Sequence, residues 1–164
     1  MMSFMHSLQE TSLALWVSGS PSLLGYPTIL VLHTVGLAML VGANLAVDLR
    51  ILGLAKRAPW PALYPLFRVM WLGFALNAVT GVLLFIADAV RKVNTPVFLV
   101  KLAFIAMAIT VLTRIQRAIR DVMAAAGPAE PSAKILAMLS LLLWTGAIVA
   151  GRLVAYMTVP IILE

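Results

Sequence analysis

The sequence predicts an all-α fold: an integral membrane four-helix bundle with an N-terminal interfacial amphipathic helix, forming a single domain over residues 1–164. Three observations predict it. Hydrophobic residues make up 63% of the chain and charged residues only 11%, whereas soluble proteins carry about 25% charge. Mean hydropathy is +1.06, which leaves too few charges to coat a globule in water. Four stretches are long enough, at about 20 apolar residues each, to cross a hydrocarbon core of roughly 30 Å, and clusters of charge and proline separate them. This composition excludes a water-soluble enzyme, a disordered chain and a coiled coil. The absence of cysteine excludes disulfides, thiolate metal sites, iron–sulfur clusters and cysteine nucleophiles.

The first element is an interfacial helix over 3–17. At the helical period, Phe4, Met5, Leu8, Leu15 and Trp16 fall on one arc while His6 and Glu10 face away, the pattern of a helix lying among lipid headgroups. Residues 1–26 hold no Lys or Arg and no long apolar run, so they do not read as a signal peptide. Ser18 to Ser22 then turn the chain into the membrane.

The spans follow at 27–49, 66–90, 96–115 and 135–159. Pro59, Pro61 and Pro65 break the first connection, and Gly127, Pro128 and Pro131 break the third. Thr95 before Pro96 is an N-cap followed by proline at the first helical position. Trp60 and Tyr64 read as interfacial anchors.

Basic residues set the orientation. Arg50, Lys56, Arg57 and Arg68 flank the first connection, and Arg114, Arg117, Arg120 and Lys134 flank the third; the second has Arg91, Lys92 and Lys101. Lys and Arg in short loops stay on the cytoplasmic side, so both termini are expected on the periplasmic side of a bacterial inner membrane. The net charge of +6 is then a topology signal rather than a nucleic-acid surface.

Polar residues inside a span face the bundle interior because lipid cannot satisfy them. His33, Asn44 and Asp48 lie within about 60° of one another on the first span, beside Gly36 and Leu40. Asn77, Thr80, Gly81 and Asp88 share a face of the second with Met70 and Gly73, and Thr145, Arg152 and Tyr156 are the polar set of the fourth. The helical rise puts His33 about 25 Å from Arg50, Asp88 about 30 Å from Arg68 and Arg152 about 27 Å from Lys134. Lys101 lies about 7 Å below Pro96, close enough to join them or to snorkel outward. His33, Asp88, Lys101 and Arg152 are therefore the candidate ligand-binding set in the outer half. Asn44, Asp48, Arg50 and Asn77 are candidate structural polar residues, with Asp48, Arg50, Arg68 and Arg114 marking the cytoplasmic edge.

The runs Tyr26-Pro27-Thr28, Leu32 to Leu37, Val41 to Asn44 and Asp48 to Gly53 resemble a bacterial family of small four-span membrane proteins of unknown function. Gly73 to Asn77, Thr80-Gly81, Phe85, Phe98 to Leu102, Trp144 and Gly151 to Tyr156 carry the likeness over nearly the whole chain. That resemblance implies architecture and no activity. A more distant likeness, carried by His33 with Gly36 and Gly42, is to small four-helix membrane proteins with a histidine early in the first span. These include the small haem-binding protoporphyrinogen oxidase and the copper-resistance membrane proteins. Their additional histidines and methionine pairs are missing here.

Three functions compete on these residues. The most specific is binding of haem b, or another redox or anionic ligand, for electron transfer to a membrane or periplasmic partner. His33 would be the axial ligand to the haem iron, Arg152 and Lys101 would meet the propionates, and Asp88 would balance them. The alternatives are a non-catalytic accessory or anchor subunit and a small transporter working as a homo-oligomer. No catalytic residue is assigned, since no phosphate-binding loop, paired-histidine metalloprotease helix or activated nucleophile is present.

Overall fold

The computed structural model describes residues 2–19, 23–125 and 131–157. They form helices α1 (Met2–Gln9), α2 (Ser12–Gly19), α3 (Tyr26–Leu52), α4 (Trp60–Leu63), α5 (Leu66–Ile86), α6 (Ala89–Val93), α7 (Pro96–Ala125) and α8 (Pro131–Met157), with no strand among these residues. Four helices are long and apolar enough to cross a membrane: α3, α4 running into α5, α7 and α8. The molecule is an all-helical bundle of a multi-pass membrane protein, and its apolar outer faces suit contact with lipid.

The expected N-terminal helix is two helices. Thr11 divides them: its hydroxyl accepts a bond from the Ala14 amide at 3.3 Å, the N-cap arrangement that starts α2, and donates to the Leu8 carbonyl at 2.7 Å. Phe4, Leu15 and Trp16 are exposed, as an interfacial segment requires, while Ala14 and Val17 are buried. Val17 packs with Ile29 and Leu84, fastening α2 to the ends of α3 and α5.

The first span begins where expected and runs three residues longer, to Leu52. Gly53, with φ +89°, ends it. Its amide donates to the Arg50 carbonyl at 3.2 Å and the Leu54 amide to the Leu49 carbonyl at 2.9 Å, the paired bonds of a Schellman stop that glycine alone adopts without strain. Arg50 then pins the following loop: Nε donates to the Ala58 carbonyl at 2.7 Å and the guanidinium sits 4.6 Å from the Trp60 ring centroid.

The second span stops at Ile86 rather than 90. Asp88, with φ −148° and ψ 44°, precedes the separate α6. The third continues to Ala125, ten residues past its expected end; its 30 residues measure about 45 Å, so its Arg-rich end projects beyond the hydrocarbon. Thr95 stands before α7 as expected, but its hydroxyl turns back to the Arg91 carbonyl at 2.9 Å. Pro131 opens α8 instead of breaking the connection, since the first helical position has no use for an amide donor. The positions 20–22, 127, 128 and 158–159, read as turn, break and span end, lie outside the described residues.

The core lies between the long helices, around Leu40, Val47, Phe67, Met70, Leu112, Ile115, Trp144 and Ala147. Helices α3 and α5 meet most closely. A Cβ placed on Gly36 would lie 2.8 Å from the Asn77 amide nitrogen, and one on Gly73 would lie 2.7 Å from the Gly36 carbonyl oxygen. Small residues at a crossing let backbones approach, which is how helices gain packing energy in lipid. Across the bundle, Leu30 and Leu40 of α3 share a cavity with Ala155 and Trp144 of α8, so these two spans run in opposite directions.

Candidate functional site

The buried polar centre is a three-residue network at the Arg-rich end. Asn44 Nδ2 donates to Asp48 Oδ2 at 2.6 Å and to Ser140 Oγ at 2.8 Å, joining α3 to α8. Asp48 and Ser140 are 0% exposed and Asn44 is 2%. Asp48, expected on the inward face of α3 with Asn44 and at the cytoplasmic edge with Arg50, is wholly buried, whereas Arg50 points away into the loop. Asp48 Oδ1 has no hydrogen-bond partner among the described residues. Sequence reasoning missed Ser140, whose hydroxyl is isolated in an apolar run. Its spacing of one turn from Trp144 was the available signal.

The cavity lies in the other half, among α3, α5, α7 and α8, with a volume of about 180 Å³. His33, Lys101 and Arg152 all line it, with Leu37, Asn77 and Trp144. Three of the four residues expected to come together therefore do so. Asp88 does not. It was placed on the Asn77–Thr80 face by extending the helix through it, but α5 has already ended, and its Oδ1 lies 3.8 Å from Arg91 Nε in a separate surface hollow with Gln9 and Asn94. No acidic side chain among the described residues lines the His33 cavity.

Helix α5 fixes the histidine. The Thr80 hydroxyl donates to the Leu76 carbonyl at 2.6 Å, which spends its one hydrogen, so toward His33 Nδ1 at 3.0 Å it can only accept. A neutral imidazole in this setting would carry its hydrogen on Nδ1 and keep the Nε2 lone pair. Asn77 Nδ2 donates to the His33 carbonyl at 2.7 Å, and Gly81 leaves room for the ring, whose Cε1 would be 3.2 Å from a Cβ there.

Lys101 joins the cavity rather than snorkelling away. Its Cε would be 3.5 Å from a Cβ on Gly151, so its stem crosses from α7 to α8 beside Arg152. The Arg152 guanidinium lies 5.9 Å from the Tyr156 ring centroid. Trp144 is a lining residue that sequence reasoning did not assign. Its Nε1 is buried without a partner among the described residues, and an indole N–H in an apolar span needs an acceptor. The face drawn from Thr145, Arg152 and Tyr156 is also corrected, because all three are exposed, Arg152 at the rim of the cavity, and α8 turns Ala137, Ser140, Trp144 and Ala147 inward.

Above the cavity, Lys92 of α6 is half-buried and its ammonium donates to the Leu84 carbonyl. Burial depresses its pKa below the ordinary lysine value; Asp88 opposes that shift and Lys101 adds to it. Among the described residues no three His, Asp or Glu side chains cluster to hold a metal ion. No protein family, curated protein or solved structure matches this chain.

Proposed function

We propose that the chain binds an anionic ligand with an apolar body in the His33 cavity of a bacterial inner membrane, with both termini on the periplasmic side. The supporting observation is the lining: Lys101 and Arg152 face one apolar cavity that no acid among the described residues neutralises. A carboxylate or phosphate there accepts charge-assisted hydrogen bonds in a low-dielectric setting, where they are strongest. At about 180 Å³ the cavity is below the usual 300–1,000 Å³ of drug-sized ligand sites. It suits the head of a ligand whose apolar part leaves between helices.

The test is equilibrium binding of a fluorescent fatty acid and of its methyl ester to detergent-purified protein. The acid should bind and the ester should not, and Lys101→Gln or Arg152→Gln should each weaken the acid about tenfold or more, as loss of a charge-assisted bond requires. Equal binding of acid and ester would sink the reading.

A second reading is haem b serving electron transfer, supported by the Thr80 bond at 3.0 Å that orients His33. Histidines that ligate metals commonly donate their other ring N–H in this way. His33 Nε2 would be the axial ligand, with Lys101 and Arg152 on the propionates. A whole porphyrin exceeds the present cavity, so this reading requires α8 to move from α3 or a second copy to share the site. Oxidised and dithionite-reduced absorption spectra, with iron measured on the same sample, decide it: a Soret band that His33→Ala abolishes is expected, and an iron-free, featureless spectrum would discard haem.

A further inference from the structure

A second concavity lies on the outer face of the bundle, in the groove between α7 and α8, with a volume of about 360 Å³. Met107, Thr110 and Arg114 form its α7 wall, and Leu136, Leu139 and Leu143 its α8 wall. The Thr110 hydroxyl is spent on the Ala106 carbonyl at 2.9 Å, so the groove is apolar along its length and basic at one end. Arg114 is exposed there and makes no ion pair among the described residues. The helical rise places it about 27 Å from Pro96, at the border of a hydrocarbon core of roughly 30 Å. Lys134 on α8 and Arg117, one turn further along α7, are exposed at the same end.

We propose that this groove seats one acyl chain of an anionic phospholipid whose phosphate rests on Arg114. From Met107 to Arg114 the groove runs about 10 Å along the helix, lengthwise like a lipid tail. Its polar end coincides in depth with lipid headgroups, and the guanidinium offers a paired donor to phosphate. The surrounding cations favour a lipid with net negative charge over a zwitterionic one, since each basic side chain near such a surface contributes about 1 kcal/mol, or roughly fivefold.

Native mass spectrometry of the full chain in detergent tests this, using phosphatidylglycerol and phosphatidylcholine with identical acyl chains. The wild type should retain phosphatidylglycerol at least fivefold more; Arg114→Gln should cut that preference about fivefold and weaken retention of both lipids, whose phosphates it holds, while Arg68→Gln, exposed on α5, should leave the preference unchanged. Leu139→Trp, which fills the groove, should reduce adducts of both lipids. Equal retention of the two lipids by the wild type, an unchanged preference in Arg114→Gln, or displacement of the lipid by inorganic phosphate would each overturn the proposal.

Discussion

At the residue scale, Asn44 ties α3 to α8. It donates both amide hydrogens, to Asp48 and to Ser140, in a fully buried setting. Asn44→Ala removes both bonds and leaves Asp48 and Ser140 with only each other as polar neighbours among the described residues, and an unsatisfied buried group costs about 1–3 kcal/mol. It should therefore destabilise the protein by roughly 3 kcal/mol in a reversible denaturation measurement. Ser140→Ala removes one acceptor of the same amide and should cost about 1 kcal/mol. An Asn44→Ala protein as stable as wild type would show that the network contributes nothing. Lys92 supplies a pH dependence at this scale. Its folded pKa is below the unfolded value, so the unfolded chain binds more protons between the two and stability should rise with pH through that alkaline window, up to the ordinary lysine value of 10.5. Thermal unfolding of wild type against Lys92→Met should show the slope in the first and its loss in the second.

At the element scale, the α3–α5 crossing controls assembly and glycines set its distance. Gly73→Ala must push a methyl group to within 2.7 Å of backbone atoms on α3, and backbone cannot swing aside as a side chain can. A loss of 1–3 kcal/mol is expected, together with a changed near-ultraviolet signal from the neighbouring aromatics. Gly42→Ala is the control, because a Cβ there meets nothing within 4 Å; it should be neutral or gain up to about 1 kcal/mol from helix propensity. A pair of substitutions with equal effects would mean the crossing is not tight. The spans were legible because a long apolar stretch has one solution in lipid: a helix that satisfies its own backbone. The inner faces of α3 and α5 were legible for a related reason, since glycine and polar residues share them. Helix ends were less so. Asp88 fell outside its assigned helix because the hydrophobic pattern continues through Ala87 to Val90 while the backbone turns, and α7 overran because Arg114, Arg117 and Arg120 mark where lipid ends rather than where the helix does. The α8 face was misread because its three guiding residues, Thr145, Arg152 and Tyr156, are all exposed: threonine and tyrosine can satisfy themselves locally or at the interface, and arginine can snorkel.

At the scale of the whole molecule, the two halves of the bundle have different chemistry. The Arg-rich half closes around the buried Asn44, Asp48 and Ser140, whereas the half containing His33 holds the cavity and is covered by α1, α2 and α6. Phe4, Leu15 and Trp16 are exposed at that end. Which side of the membrane this end faces is set by charge, because moving Arg50, Lys56, Arg57 and Arg68 with Arg114, Arg117, Arg120 and Lys134 across the bilayer costs more than moving Arg91, Lys92 and Lys101. The cysteine-free chain makes this measurable without background. Leu23, 80% exposed before α3, and Leu54, 76% exposed after it, report opposite ends. In spheroplasts a membrane-impermeant maleimide should label Leu23→Cys directly and Leu54→Cys only after permeabilisation. The reverse pattern would invert the orientation and put the His33 cavity on the cytoplasmic side. Labelling of both before permeabilisation would mean dual insertion, and the charge asymmetry would then be too weak to direct the chain.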